Sequence, residues 1–276
     1  MRKITLLLSA LIIALVVTAC SKDNITTETA APVTTESSTI QTSINHTDIT
    51  INEFVIDEVL QSQSGDEIHY SYYVPDGYDG SELYALFLTL PGWEGLYFQG
   101  VAENLKQEAF AYEAVKYNSK MIVVAPQLND WGDNSAEQTI ELVEYFKGQY
   151  SIGSIYANGY SGGGETLSLI MDKRPELFKR VLHVSSKWDG ELLPLVRSQV
   201  PVYAVIGESD EYYGSDPIKN TADEIKTLCD SENLPSNFTL EIKDRAYFEA
   251  QGISNQHGGG LSIAYDKAIM SWLFEQ

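Results

Sequence analysis

The sequence predicts an α/β domain built on a mostly parallel central sheet, with helices on both faces and an antiparallel hairpin at its N-terminal end. Three observations lead there. Short, continuously apolar runs recur along the chain, as strands covered on both faces require. Segments of helical pattern separate them. One early stretch instead alternates apolar with polar residues, as a half-exposed antiparallel pair does.

In chain order, Ile49 to Ile51 and Phe54 to Ile56 lead to a turn signal at Ser64-Gly65-Asp66, after which Ile68, Tyr70, Tyr72 and Val74 alternate with polar partners. That is the hairpin. The runs at residues 84–90, 121–125, 154–158, 181–184 and 202–206 are the parallel strands. Ser135 with Gln138, and Thr221 with Glu224, have the spacing of a capping box and open two of the intervening helices. Leu261, Ala264, Ala268 and Trp272 mark the inner stripe of a closing helix. In such sheets the functional residues gather on loops leaving the carboxyl ends of the strands.

The 276 residues are 43% hydrophobic and 21% charged, an ordinary globular composition. With 39 acids against 18 bases the formal charge is −21, which repels phosphate backbones and argues against a nucleic-acid partner. Two cysteines, Cys20 and Cys229, supply neither a disulfide framework nor a cysteine-rich zinc site. Cys229 shares a helical face with Ile225 and Leu228 and reads as a buried, inert thiol. The oxygen-rich stretch from Asn129 to Asn134 lacks the ordered ligand spacing of a calcium loop and reads as turns. No metal and no other cofactor is implied.

Residues 1–19 open with Arg2 and Lys3, continue through a short apolar run and end in small residues, the pattern of an export signal. Val17-Thr18-Ala19-Cys20 resembles the lipobox of bacterial lipoproteins, and that resemblance implies a lipid on Cys20 and an extracytoplasmic, membrane-anchored location. Residues 20–48 are rich in Thr, Ser, Asn and Ala and cannot bury enough surface to offset chain entropy, so they read as a tether. The catalytic-sized domain is then 49–276.

The chemistry concentrates at Gly159-Tyr160-Ser161-Gly162-Gly163, which follows a predicted strand and precedes a helix carrying Leu167, Leu169, Ile170 and Met171. A serine flanked by glycines in a strand-to-helix turn is the nucleophile elbow, with Gly159 and Gly163 needed because a Cβ there would strike a neighbouring backbone. A serine hydroxyl needs a base within reach and an anion to orient that base. Asp210 lies on the loop after the strand at 202–206, and His257 lies in a glycine-rich loop before the last helix. His183 sits inside an apolar run and reads as a core histidine, whereas Glu208, Glu211 and Asp216 are rival acids on the loop of Asp210.

The order Ser161, Asp210, His257 on this pattern resembles the α/β-hydrolase superfamily, its serine esterases and feruloyl-esterase-like members included, over residues 65–276. The resemblance implies Ser161 as nucleophile, His257 as general base and acid, and Asp210 as its orienting partner. It also implies an oxyanion hole from the backbone N–H of Gly162 and one from the loop Pro91-Gly92-Trp93-Glu94-Gly95, with Trp93 favoured. Relatives often have His-Gly at this loop; here Pro91 stands in the histidine's place, and the choice between Gly92 and Trp93 stays open.

Trp93, Trp131, Trp188 and Tyr212 all follow predicted strands, so they are expected on the rim around Ser161, where they would line an aromatic substrate pocket. Tyr97, Phe98 and Tyr213 share that position. The expected activity is hydrolysis of small or polymeric carboxylic esters through an acyl-enzyme. The rival readings are a serine peptidase resembling the prolyl oligopeptidase catalytic domain, and a catalytically silent binding lipoprotein on a hydrolase scaffold.

Overall fold

β2 (Phe54–Gln61) buries Phe54, Ile56, Val59 and Leu60 and β3 (Glu67–Tyr73) buries Ile68 and Tyr70, and the two strands pair antiparallel through a turn at Gly65, which takes a left-handed φ of 93°. The computed structural model describes residues 50–51 and 53–275. The expected signal peptide 1–19, Cys20, the tether 20–48 and Ile49 lie outside the described residues. A two-residue strand, β1 (Thr50–Ile51), pairs antiparallel with β2.

The rest of the sheet is parallel. β4 (Tyr84–Leu90), β5 (Met121–Gln127), β6 (Ile152–Tyr160), β7 (Arg180–Val184), β8 (Val202–Gly207) and β9 (Phe238–Lys243) follow in sequence. Their spatial order, with the hairpin, is β1-β2-β3-β5-β4-β6-β7-β8-β9. β5 pairs antiparallel with β3 and parallel with β4, so it joins the two regimes. β4 and β5 are buried at every position, which explains their unbroken apolar character.

Alternation along β4 feeds two separate cores. Leu86, Leu88 and Leu90 join Ile122, Val124, Phe146, Leu167 and Ile170 on one face. Ala85 and Phe87 join Phe110, Val123, Met270 and Phe274 on the other. The first face is covered by α3 (Asp133–Gln149), α4 (Gly162–Lys173), α5 (Leu192–Ser198) and α6 (Asp216–Glu232), the second chiefly by α2 (Phe110–Ala114) and α9 (Lys267–Phe274). Each fully buried Phe or Leu contributes on the order of 1.5–3 kcal/mol. Short helices complete the domain: α1 (Glu103–Gln107), α7 (Arg245–Glu249) and α8 (Gln256–Gly259).

Several local expectations are corrected. The spacing at Ser135 is not a capping box: Asp130 Oδ1 accepts the Gly132 N–H at 3.0 Å and the Ser135 hydroxyl at 2.6 Å, and that turn starts α3 at Asp133. Thr221 lies inside α6, its hydroxyl donating to the Pro217 carbonyl, because Pro217 in the first turn after Ser215 opens the helix earlier. The closing helix is broken: a 3-10 segment at Gly260–Tyr265 precedes α9, which Asp266 caps by accepting from Ala268 and Ile269. The break changes the phase, so Ile263, Ala264, Ile269, Met270, Leu273 and Phe274 are buried while Ala268 is exposed and Trp272 half-buried. β9 was not expected, because Phe238-Thr-Leu-Glu-Ile-Lys243 is half-polar, as an edge strand is.

Candidate active site

β6 runs into α4 with a single residue between them, Ser161, held at φ 52° and ψ −125°. A positive φ at a residue with a Cβ is strained. Backbone bonds hold the turn from both sides: the Ser161 N–H donates to the Val184 carbonyl at 2.9 Å, and the Ser161 carbonyl accepts the Gly164 N–H at 2.8 Å. A Cβ on Gly159 would fall 2.4 Å from the Gly163 carbonyl oxygen, and one on Gly163 would fall 2.2 Å from that of Leu90. Only glycine lets strand and helix approach this closely.

The structure brings Ser161, His257 and Asp210 together. Ser161 Oγ lies 3.0 Å from His257 Nε2. His257 Nδ1 lies 2.9 Å from Asp210 Oδ2 and 3.1 Å from Oδ1. With only acceptors at Asp210, the proton belongs on Nδ1, which leaves Nε2 free to accept from the serine hydroxyl. Asp210 is itself held by the N–H groups of Tyr212 and Tyr213, at 3.0 and 2.8 Å to Oδ1. Its side chain is fully buried beside a partly exposed imidazole.

The rival acids are engaged elsewhere. Glu211 accepts the backbone N–H of His257 at 2.9 Å, Glu208 accepts that of Arg245 at 3.0 Å, and Asp216 pairs with Lys219 on the surface. Gln256 Oε1 accepts the Ser209 N–H at 2.8 Å and so ties the His257 loop to the Asp210 loop. His183 is buried in β7 with Nε2 at 3.2 Å from the Lys187 carbonyl, and burial lowers its pKa to about 4. Cys229 is buried in α6.

Gly162 opens α4, so its N–H is one of the unpaired donors at the positive end of the helix. On the loop after β4, the Gly92 N–H is taken by the buried carboxyl of Glu108 at 2.7 Å. The N–H groups of Trp93 and Gly162 have no acceptor among the described residues.

Around Ser161 and His257 is a cleft of about 390 Å³ whose walls include Trp93, Glu94, Trp131, Tyr212 and Tyr213. Trp93 and Trp131 lie 5.8 Å apart, and the Trp131 Nε1–H is buried without an acceptor among the described residues. Tyr213 donates its hydroxyl to Glu165, one turn beyond Ser161, and Lys187 lies 3.7 Å from that carboxylate. Burial raises the pKa of both the Tyr213 phenol and the Glu165 carboxyl.

Trp188 is not part of this cleft. It is buried against His183 and Phe238, at 5.4 and 5.9 Å between rings, and borders a separate hollow with Leu192 and Leu228. Tyr97 also points away, stacked on His69 at 3.7 Å, whereas Phe98 packs edge-on against Trp93 at 5.0 Å and does not line the cleft. Sequence reasoning missed Tyr160, whose hydroxyl donates to the His257 carbonyl at 3.1 Å, and Glu108; the signal for Tyr160 was its place inside the elbow motif.

The sheet order, the elbow and the positions of the loops define the α/β-hydrolase fold. No protein-family model matches the sequence, and no curated protein matches it. Solved structures do. A thermostable esterase superposes with a TM-score of 0.66 at 19% identity, over 82% of this chain and 64% of that one; the chain thus spans under two thirds of that protein's length. XC6422 from Xanthomonas campestris, described as an α/β serine hydrolase without lid, gives 0.51 at 14% identity, over 83% of this chain and 100% of its own. Est1E from Butyrivibrio proteoclasticus gives 0.54 at 13% identity, over 81% and 98%.

Proposed function

We propose that the protein is a serine hydrolase that cleaves carboxylic esters through an acyl-enzyme on Ser161. The observation that carries this reading is the hydrogen-bonded chain from Ser161 Oγ through the His257 ring to Asp210, at 3.0 and 2.9 Å. Ser161 Oγ attacks the ester carbonyl carbon while its proton passes to His257 Nε2, and the buried Asp210 carboxylate stabilises the imidazolium. The Gly162 and Trp93 N–H groups receive the developing oxyanion; losing one such donor costs about 2.7–4 kcal/mol. As the C–O bond to the alcohol breaks, His257 returns the proton to the leaving oxygen. Water then attacks the acyl carbon, giving its proton to His257, and the acid departs as Ser161 recovers its hydrogen.

The cleft favours an aromatic or apolar acyl group, since Trp93 and Trp131 offer ring faces and the polar groups converge at the reacting end. The structural neighbour Est1E is described with ferulic acid, an aromatic acid, bound. The proposed location is extracytoplasmic, with a lipid on Cys20 and residues 20–48 as tether. This part rests on the sequence pattern of residues 1–20.

A fluorophosphonate probe should label the wild type and not Ser161→Ala, and p-nitrophenyl esters should be turned over in preference to peptide anilides. A folded wild type that takes no label contradicts the hydrolase reading, and preference for anilides contradicts the ester assignment. Cys20→Ala should move the protein from the membrane fraction to the soluble extracytoplasmic fraction; unchanged membrane association contradicts the anchor.

A further inference from the structure

Between α1 and α2, Glu108 carries a carboxyl group that no step of the proposed reaction uses. The residue is 7% exposed, and among the described residues no Lys, Arg or His pairs with it. Its polar contact is the Gly92 N–H, at 2.7 Å from Oε1. Beside it, Thr89, Asn104, Leu105, Ala111 and Ala125 line a void of about 10 Å³, room for about one water at most. Asn104 does not serve it, because its amide donates to the Ala125 and Pro126 carbonyls and its oxygen accepts the Leu105 N–H.

A buried carboxyl without a cation is costly, so its place calls for an explanation. Gly92 lies against the nucleophile: a Cβ there would fall 3.3 Å from the Ser161 Cβ and 2.9 Å from the Tyr160 ring. The loop is therefore seated between the Tyr160 and Ser161 side chains in front and Glu108 behind. Two consecutive amides on this loop face different fates. Gly92 is engaged by Glu108, and Trp93 is left unengaged beside the cleft.

We propose that Glu108 is a positioning residue of the oxyanion loop, taking the Gly92 N–H so that residues 91–95 are locked with the Trp93 N–H available to the reacting carbonyl oxygen. The inference rests on the esterase reading for its consequence in catalysis, but the Glu108–Gly92 contact stands apart from it. Burial pushes the Glu108 pKa up to about 8, the Gly92 N–H opposes that rise and the Glu94 carboxylate adds to it. The titratable groups that face Glu108 are Glu94, on the loop itself, and the phenol of Tyr160, on β6. Both are acids, so neither offsets a charge on Glu108. Below about pH 8 a neutral carboxyl holds the loop, and above it a negative charge sits one hydrogen bond behind the site where the oxyanion develops.

The test compares wild type, Glu108→Gln and Glu108→Ala, each checked for folding by circular dichroism. One readout is p-nitrophenyl ester hydrolysis from about pH 6 to 9.5. The other is the Gly92 amide signal of glycine-labelled protein over the same range. Glu108→Ala should lower kcat about tenfold or more with KM changed less than about threefold, on the scale of a displaced oxyanion donor. Glu108→Gln, which can still accept the Gly92 N–H, should recover most of that loss and lack the wild-type fall in kcat above pH 8. The Gly92 amide should shift with a midpoint near pH 8 in wild type and not in Glu108→Gln. An unchanged kcat in Glu108→Ala, or the same alkaline fall in Glu108→Gln, overturns the proposal. If Glu108→Ala does not fold, the Glu108→Gln profile decides. If the wild type hydrolyses no ester, the esterase reading fails separately, and a Gly92 amide signal left unmoved by Glu108→Ala then overturns the positioning role on its own.

Discussion

Gly162 lies directly under the indole of Trp131: a Cβ built on Gly162 would fall 2.0 Å from Trp131 Cε2 and 2.2 Å from Nε1. Gly162 is also the first residue of α4, where Ala would ordinarily suit a helix better. The glycine is needed here to let a cleft-lining ring close over the amide that follows Ser161. Gly162→Ala should therefore keep the fold but expel the Trp131 ring and lower kcat/KM about 100-fold, the scale of an ångström-sized misplacement near the chemistry. In a double-mutant cycle, adding Trp131→Ala should recover part of that loss, because the clash is then gone. Additive losses would show that the two residues do not act through this contact.

Asp210 presents its two oxygens unequally, and that makes Asp210→Asn informative. Oδ1 already accepts from Tyr212 and Tyr213, so the asparagine would keep its carbonyl oxygen there and turn its amide toward His257 Nδ1. A donor facing Nδ1 forces the proton onto Nε2, and the imidazole can then no longer accept from Ser161. The expected fall in kcat is about 10³- to 10⁴-fold with little change in thermal midpoint. A loss under tenfold would count against Asp210 as the group that sets the tautomer.

The positive φ of Ser161 is a cost in stability that its proposed role as nucleophile accounts for. At φ 52° a Cβ is unfavourable, and the surrounding backbone bonds hold the residue there regardless. Ser161→Gly should abolish turnover while raising unfolding free energy by about 1 kcal/mol, measured by urea denaturation; Ser161→Ala, which retains the Cβ, should lack most of that gain. Equal stability of the two variants would show that the turn is unstrained.

What the chain revealed in advance follows from where its signals are local. The elbow is written in consecutive residues and Asp210 sits just beyond a clear apolar strand, whereas β9 ahead of His257 is half-polar, so His257 is legible only through its glycine-rich loop and the chain order of the α/β-hydrolase resemblance. Position after a strand does not specify direction, however. Trp188 leaves β7 as expected and then turns into the core against His183 and Phe238, a choice set by packing. Glu108 left no local mark in a strongly acidic chain. Its contact spans 16 residues and exists only once α1 and α2 fold behind the loop. The caps at Ser135 and Thr221 were misread because Asp130 and Pro217 provide stronger starts upstream.

His183 gives the protein an acid-sensitive element away from the reaction. Buried in β7, it donates from Nε2 to the Lys187 carbonyl as a neutral ring, and burial holds its pKa near 4 against 6.5 for a free imidazole. A lowered folded-state value means that the contribution is fully present above about pH 6.5. It is lost as pH falls toward 4, because the unfolded chain takes up a proton that the folded one refuses. His183→Gln can keep a donor to Lys187 but has nothing to protonate. Urea unfolding at pH 7.5 and 4.5 should show the wild type losing more stability than the variant, by on the order of a few kcal/mol. The same loss in both proteins would assign the acid sensitivity to other groups.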